Sequence, residues 1–403
     1  MDISLTPYFL DWANLLLRWL HLITGIAWIG ASFYFVWLDN SLRPPAPGSD
    51  LAAKGVSGHL WAVHGGGFYN PQKYLVSPPE LPQELHWFKW EAYATWLSGM
   101  ALMCVAYYAH ADTMLLDKAV ADLSPLQGIG IGLGALVLAW AVYDGLCRTR
   151  LVEKQALFGV TVWLLLIAAG WGLAQFLSAR AAFLHVGAMI GTIMAGNVLM
   201  VIIPGQKKLV AALSARQSPD PIYGIRGKQR SVHNNYFTLP LLLIMISNHY
   251  PLLWQGRNNW IALALVMAAG VLIRHFFNLR HKGQTVWAWP LAGLVLLGLL
   301  AWLAAPAKPQ AGAQQVSFAQ VQTILQARCV SCHADKPSQP GFAQAPAGIS
   351  LESPQAIAQH AARIASQVQT RAMPLANLTQ MTEQERALVQ SWFAQGATVT
   401  AKP

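Results

Sequence analysis

Charged side chains are scarce in this sequence. Only 11% of its 403 residues are Asp, Glu, Lys or Arg, where a soluble chain of that size carries about a quarter. So few charges cannot cover a water-facing surface, which excludes an ordinary soluble enzyme. The glycine run Gly65-Gly66-Gly67 has no Lys-Ser/Thr behind it, so it is not a phosphate loop. No basic segment precedes the first apolar run, so a cleavable signal peptide is not expected and the first helix should stay in the membrane. There are only four cysteines, and two of these, Cys104 and Cys147, lie in apolar surroundings that suit a structural role.

Hydrophobic residues are plentiful. They make up 55% of the chain, with 17 tryptophans and a mean hydropathy of +0.37. The composition is that of a polytopic membrane protein. Apolar runs of spanning length occur at about eight places: 11–38, 90–110, 126–146, 157–178, 182–203, 236–253, 258–276 and 286–304. The expected class is therefore all-α: a bundle of about eight transmembrane helices over 1–304, a Pro/Ala/Gln linker over 305–315, and a compact unit over 316–403. The last unit reads as a helix at Phe318–Arg328, a loop, a helix at Pro354–Gln369, a Met-bearing loop, and a helix that starts from Thr382 with Glu385 in capping-box register.

The remaining two cysteines form Cys329-Val330-Ser331-Cys332-His333. Two thiols at this spacing followed at once by an imidazole are the attachment signature of a c-type haem. A redox dithiol needs no adjacent His, and a zinc site needs a second ligand pair that the segment lacks. The expected iron ligands are His333 and Met373, with His360 and Met381 as rivals for the second position, since a His/Met pair is the common cytochrome c ligation. The helix–loop–helix order resembles a small class I cytochrome c domain. Attachment of such a haem occurs outside the bacterial inner membrane, which puts this unit in the periplasm.

The net charge of +10 follows the same topology. The loops expected inside hold Arg43, Lys54, Lys73, Arg148, Arg150, Lys154, Lys207, Lys208, Arg216, Arg226, Lys228, Arg230, Arg280 and Lys282; those outside hold Lys118, Arg180 and Arg257. That is the positive-inside asymmetry, so the basic excess orients the chain in lipid and calls for no nucleic acid. Two inner loops are long, 41–89 and 205–235, and the glycines of the first are expected to allow close backbone approach.

Histidines lie in or near several spans: His21, His185, His249 and His275. His21 and His185 are each followed by small residues that would admit a flat ring. The first of these segments resembles the histidine helix of the copper-resistance D and HemJ type membrane proteins, some of which bind haem b. The densest polar stretch runs from Ser231-Val-His233-Asn234-Asn235-Tyr236 to Ser247-Asn248-His249-Tyr250.

Taken together, Leu20-His21…Trp28-Ile-Gly30, Trp61-Ala-Val-His64-Gly-Gly-Gly67, His86-Trp87-Phe88-Lys89-Trp90-Glu91, Asn197…Pro204-Gly205-Gln206-Lys207 and His233-Asn-Asn-Tyr-Phe, fused to Cys-x-x-Cys-His, resemble the PuuD-type urate hydroxylases. These are integral-membrane, cytochrome c-linked urate oxidases. The resemblance implies oxidation of urate to 5-hydroxyisourate in purine breakdown. Electrons would pass to the fused haem c and on to a respiratory-chain acceptor, a cytochrome c or a terminal oxidase. The chemistry needs a base and hydrogen-bond donors to the purine. Candidates are His64, His86, Glu91, His233, Asn234 and Asn235 for an inward-facing pocket, and His249 and Asn248 for an outward one. An inner pocket lies most of a ~30 Å core away from an outer haem. That distance calls for a membrane relay, a haem b with His21 and His185 as ligands. The alternative to an enzyme is a non-catalytic b/c-type cytochrome subunit fed by quinol or a partner protein.

Overall fold

The computed structural model describes residues 6–75, 77–254, 259–305, 315–339, 342, 344–369 and 371–399. Most of the expected linker therefore falls outside the described residues. Among those described, five helices are long and apolar enough to cross a membrane: Tyr8–Ser41, Pro125–Leu146, Gln155–Leu173, Ala179–Ser214 and Asn259–His281.

In chain order, α1 is Thr6–Ser41, a short α2 is Asp50–Ala53, and α3 is Trp90–Met103. The bundle continues with α4 (Pro125–Leu146), α5 (Gln155–Leu173), α6 (Ala179–Gly196), α7 (Ile203–Ser214), α8 (Pro221–Ser247), α9 (Asn259–His281) and α10 (Ala288–Leu303). Three of the eight expected spans fall short as spanning helices by length and composition. Helix α3 has 14 residues before it widens into a π turn at Cys104–Tyr108. Helix α8 is 27 residues long, but its first half carries Arg226, Lys228 and Arg230. Helix α10 has 16 residues. Hydropathy counts apolar residues in a window; it does not register where a helix widens or where polarity shares the same helix.

The expected inner loops are largely ordered. Residues 205–235 are mostly helix, the end of α7 and the start of α8. The first loop holds two antiparallel pairs. Strand β1 (Val56–His59) pairs with β4 (Gln72–Tyr74), and β2 (Ala62–His64) pairs with β3 (Gly67–Tyr69). Gly65 and Gly66 form the two-residue turn between β2 and β3, with φ of +58° and +80°. Positive φ at both positions is what a tight hairpin turn demands. A Cβ at either position would meet nothing within 4 Å. The glycines therefore serve the turn.

Helix α6 is the hub of the bundle, packed against α3, α4, α5 and α8, and its face is buried from Ala181 to Ala195. Small residues let backbones meet where helices cross. At the α8–α9 crossing, a Cβ on Gly270 would lie 2.8 Å from the Pro240 nitrogen. Proline has no N–H and its ring cannot move aside. Gly270→Val should force the two helices apart and destabilise the bundle by about 1–3 kcal/mol, in line with other overpacked cores. Thermal melting in detergent measures it; an unchanged transition would contradict the crossing described.

The C-terminal unit has its own hydrophobic core, with Val321, Leu325, Ile364, Val389 and Trp392 at its centre. Helix α11 is Phe318–Arg328, α12 Pro354–Gln359, α13 Ala361–Gln369 and α14 Glu383–Ala394. The single helix expected over 354–369 is broken at His360, which caps α12. Ser317 with Gln320 and Thr382 with Glu385 form complete capping boxes. Glu385 also pairs with Arg328 at 3.0 Å. Burial alone would raise its carboxyl, but the Thr382 N–H and the Arg328 guanidinium outweigh that and hold it below the usual value of 4.5. A depressed folded-state pKa stabilises above the unfolded value and is lost as pH falls through the folded one. The unit should therefore loosen below about pH 4.5. Glu385→Gln should blunt that loss in limited proteolysis compared with the parent at each pH.

Candidate functional site

Among the described residues, a crevice in the C-terminal unit opens between the turn after α11 and the loop after α13. Cys329 closes α11, and the N–H groups of Cys332 and His333 both donate to its carbonyl, at 3.1 and 2.9 Å. One turn thus presents two thiols and an imidazole together. His333 Nδ1 lies 2.9 Å from the Ile349 carbonyl. A carbonyl can only accept, so the proton sits on Nδ1 and Nε2 keeps its lone pair. Across the crevice stand Met373, Pro374, Leu375 and Leu378. The buried Arg386 fastens this wall by donating to the carbonyls of Val368 and Met373 and to Asn377 Oδ1, at 3.0, 2.8 and 3.1 Å. Of the rivals to Met373, Met381 is 2% exposed in the core and His360 caps α12; neither lines the crevice.

Both thiols are free. Burial pushes Cys329 up to about 12 and raises Cys332 as well. Dithiol oxidoreductases depend on the opposite shift, a thiolate at neutral pH. The donor set is two neutral thiols, an imidazole and a thioether within apolar walls. The rim carrying Leu375–Asn377 packs against the π turn Ala111–Leu115 of the bundle, so the crevice adjoins the membrane body.

The bundle holds two buried polar clusters, both toward the end where the basic residues collect. The first joins α4, α6 and α8. Arg230 pairs with Asp144 at 2.6 Å, donates to Asn197 Oδ1 at 3.1 Å, and lies 5.1 Å from the centre of the Tyr143 ring. Arg148 adds a second cation to Asp144. Asn197 Nδ2 donates to Asn234 Oδ1 at 2.8 Å, and Asn234 Nδ2 donates to the Met194 carbonyl at 3.0 Å. His233 Nδ1 lies 2.7 Å from the Tyr143 hydroxyl, and its ring stacks on Phe158 at 4.7 Å. This network has a partner for each of its charges.

The second cluster joins α8 and α9. Asn235 Oδ1 accepts from Arg274 Nε at 3.0 Å and from Asn278 Nδ2 at 2.9 Å. The Arg274 guanidinium lies 3.8 Å from the centre of the Phe33 ring of α1. Tyr236 and His275 share a 2.7 Å hydrogen bond beside it, and Trp289 packs edge-on to His275.

Adjacent residues of α8 therefore serve different clusters. His233 and Asn234 turn to α4 and α6, and Asn235 turns to α9. The other proposed catalytic residues stand apart. His64 is exposed at the end of β2, and His86 is exposed with its ring 4.6 Å from Phe88. Glu91 sits in the first turn of α3 with Oε2 buried and unpartnered among the described residues. At the opposite end, Asn248 accepts from the Tyr107 hydroxyl at 2.6 Å, and His249 is exposed.

His21 and His185 share one feature with His333, an Nδ1 held by a backbone carbonyl: Thr95 at 3.0 Å and Ala181 at 2.8 Å. Each also faces a glycine, Gly99 and Gly132, whose Cβ would fall 2.8 and 2.5 Å from the ring. His21 also reaches Ser98, and His185 Nε2 reaches the Tyr108 hydroxyl.

Sequence reasoning passed over Asp144, Arg230 as a site residue, Arg274 and Asn278. The signal for Arg274 was present: an arginine directly after Val271-Leu272-Ile273 inside an apolar run. A family model described as the N-terminal domain of urate oxidase matches residues 7–305. No curated protein and no solved structure matches the chain.

Proposed function

The chain belongs to the urate oxidase N-terminal family, and on that premise we propose that its membrane body oxidises urate to 5-hydroxyisourate and delivers the electrons to a haem c on the C-terminal unit. The urate monoanion and one water give 5-hydroxyisourate, one proton and two electrons. The observation that carries the reading is the crevice: Cys329, Cys332, His333 and Met373 converge in a chain whose body belongs to a urate-oxidising family. The two thiols would hold the porphyrin as thioethers, and His333 Nε2 and Met373 Sδ would bind its iron. The buried, neutral thiols, the lone pair left on His333 Nε2 and the apolar opposite wall all fit that group. When bound, such a haem would supply a one-electron acceptor. The contact between the crevice rim and the Ala111–Leu115 turn supports a short path from the body.

The setting follows from the same reading. The body lies in lipid, in the bacterial inner membrane, with the basic end in the cytoplasm and the C-terminal unit in the periplasm. A respiratory-chain partner, a cytochrome c or a terminal oxidase, takes the electrons onward. The buried polar clusters are at the cytoplasmic end, most of a ~30 Å core from the crevice. The proposal therefore includes a haem b relay. His21 and His185 each suit ligation, with Nδ1 tied to a carbonyl and a glycine beside the ring.

Anaerobic urate added to the oxidised, full-length protein should reduce the c haem, with two equivalents drawn per urate. A haem that stays oxidised would sink the reading in favour of a non-catalytic cytochrome subunit, which quinol but not urate would reduce. A pyridine haemochrome spectrum of the same sample should show b-type beside c-type haem; c-type alone removes the relay.

A further inference from the structure

Arg230 and Arg274 are both buried within the bundle, 4% and 3% exposed, and their surroundings differ in kind. Arg230 has Asp144 at 2.6 Å. Arg274 forms no ion pair among the described residues. Its neighbours are an amide oxygen and an aromatic face. A buried cation without an anion is costly, and in a membrane protein it marks function by default.

The atoms around it fit a ligand. Asn235, 1% exposed, spends its oxygen on Arg274 and Asn278 together. That leaves Arg274 Nη2, Asn235 Nδ2 and Asn278 Oδ1 buried with no hydrogen bond among the described residues. Unpaired buried polar atoms are rare in folded proteins, and three on interlocked side chains are a cluster that wants a partner. The set is two donors, one of them cationic, and one acceptor. One turn further along α9, on the same face, His281 Nδ1 is also buried and unpartnered.

We infer that Arg274, Asn235 and Asn278 bind the urate anion, an inference that rests on the function proposed above. Arg274 Nη2 and Asn235 Nδ2 donate to a carbonyl oxygen and to the deprotonated edge of the ring. Asn278 Oδ1 accepts from an adjacent ring N–H. The edge of urate alternates carbonyl and N–H groups and carries one negative charge, so it satisfies all three atoms. Inorganic phosphate at neutral pH keeps a hydroxyl donor but has no flat edge of alternating carbonyl and N–H groups, so it matches this planar set less well than urate. Phe33 lies against the planar guanidinium, its ring centre 3.8 Å away, and holds it in place, so the fork is ready before the ligand arrives.

Equilibrium dialysis of radiolabelled urate against the full-length protein under anaerobic conditions tests this without turnover. Arg274→Met removes the charge with little change in volume, and should raise the Kd at least thirtyfold, about 2 kcal/mol at 1.4 kcal/mol per tenfold. Arg274→Lys should recover part of the affinity, and phosphate should not displace urate. Dithionite should still reduce the haem of each variant fully. If Arg274→Met does not assemble, Asn278→Leu carries the same expectation, roughly tenfold. A Kd within threefold of the parent in either folded variant overturns the site and leaves the function standing. A parent protein that neither binds urate nor passes electrons from it overturns the function, and the substrate assignment with it.

Discussion

A protein with Cys329 and Cys332 both changed to serine should lose covalent haem entirely and with it at least a hundredfold of urate-driven electron delivery to any soluble acceptor. Serine keeps the size and hydrogen bonding of cysteine, so the turn that gathers these residues survives. Its hydroxyl cannot form the thioether. His333 and Met373 alone would hold a haem by axial bonds, which exchange with solvent and wash out on purification. Haem staining on a denaturing gel reads the covalent bond directly. Urate binding, which we propose for the bundle, should be unchanged in dialysis. A stained band in the double variant would mean that these cysteines do not carry the haem, and a urate turnover equal to the parent's would mean that electrons leave by another path.

The second large effect concerns stability. Asp144→Asn should destabilise the bundle by about 3–5 kcal/mol, because it leaves the Arg230 charge buried without its anion. Arg148, the other partner of Asp144, is mostly exposed and can turn to water; Arg230 cannot. The cost should fall when the cation goes as well. The double variant Asp144→Leu, Arg230→Met replaces the ion pair with apolar side chains of similar size and should recover most of the loss. Unfolding in mixed micelles, followed for Asp144→Leu, Arg230→Met and the double, closes the cycle. Additive losses would mean that the two charges do not interact, against their 2.6 Å separation. The contrast with Arg274 is instructive. Removing that cation relieves an unpaired charge, so Arg274→Met should not lower stability while it weakens urate binding.

Much of the C-terminal unit could be read directly from residues close together in the chain. The Cys329–His333 spacing, the Thr382 and Glu385 capping box and the helix over Phe318–Arg328 are local patterns, set by contacts within one or two turns. The five long apolar helices were legible for the same reason. What misled was also local. A run of three glycines looks the same whether it cradles a ligand or turns a hairpin, and only the φ angles of Gly65 and Gly66 distinguish them. The polar residues of α8 read as one patch, yet the 100° step between neighbours on a helix sends Asn234 to α6 and Asn235 to α9.

The sequence by itself determined which runs are long and apolar enough to span a membrane, which end of the chain's loops gathers its positive charge, and that two cysteines and a histidine share one turn, since hydropathy, loop charge and a five-residue spacing are properties of the chain alone. Which buried arginine is matched and which is not was decided only in the tertiary structure. Asp144 reaches Arg230 across 86 positions, and nothing acidic reaches Arg274 among the described residues. Pairing of charges across a bundle depends on which faces of distant helices meet, and no window along the chain contains that.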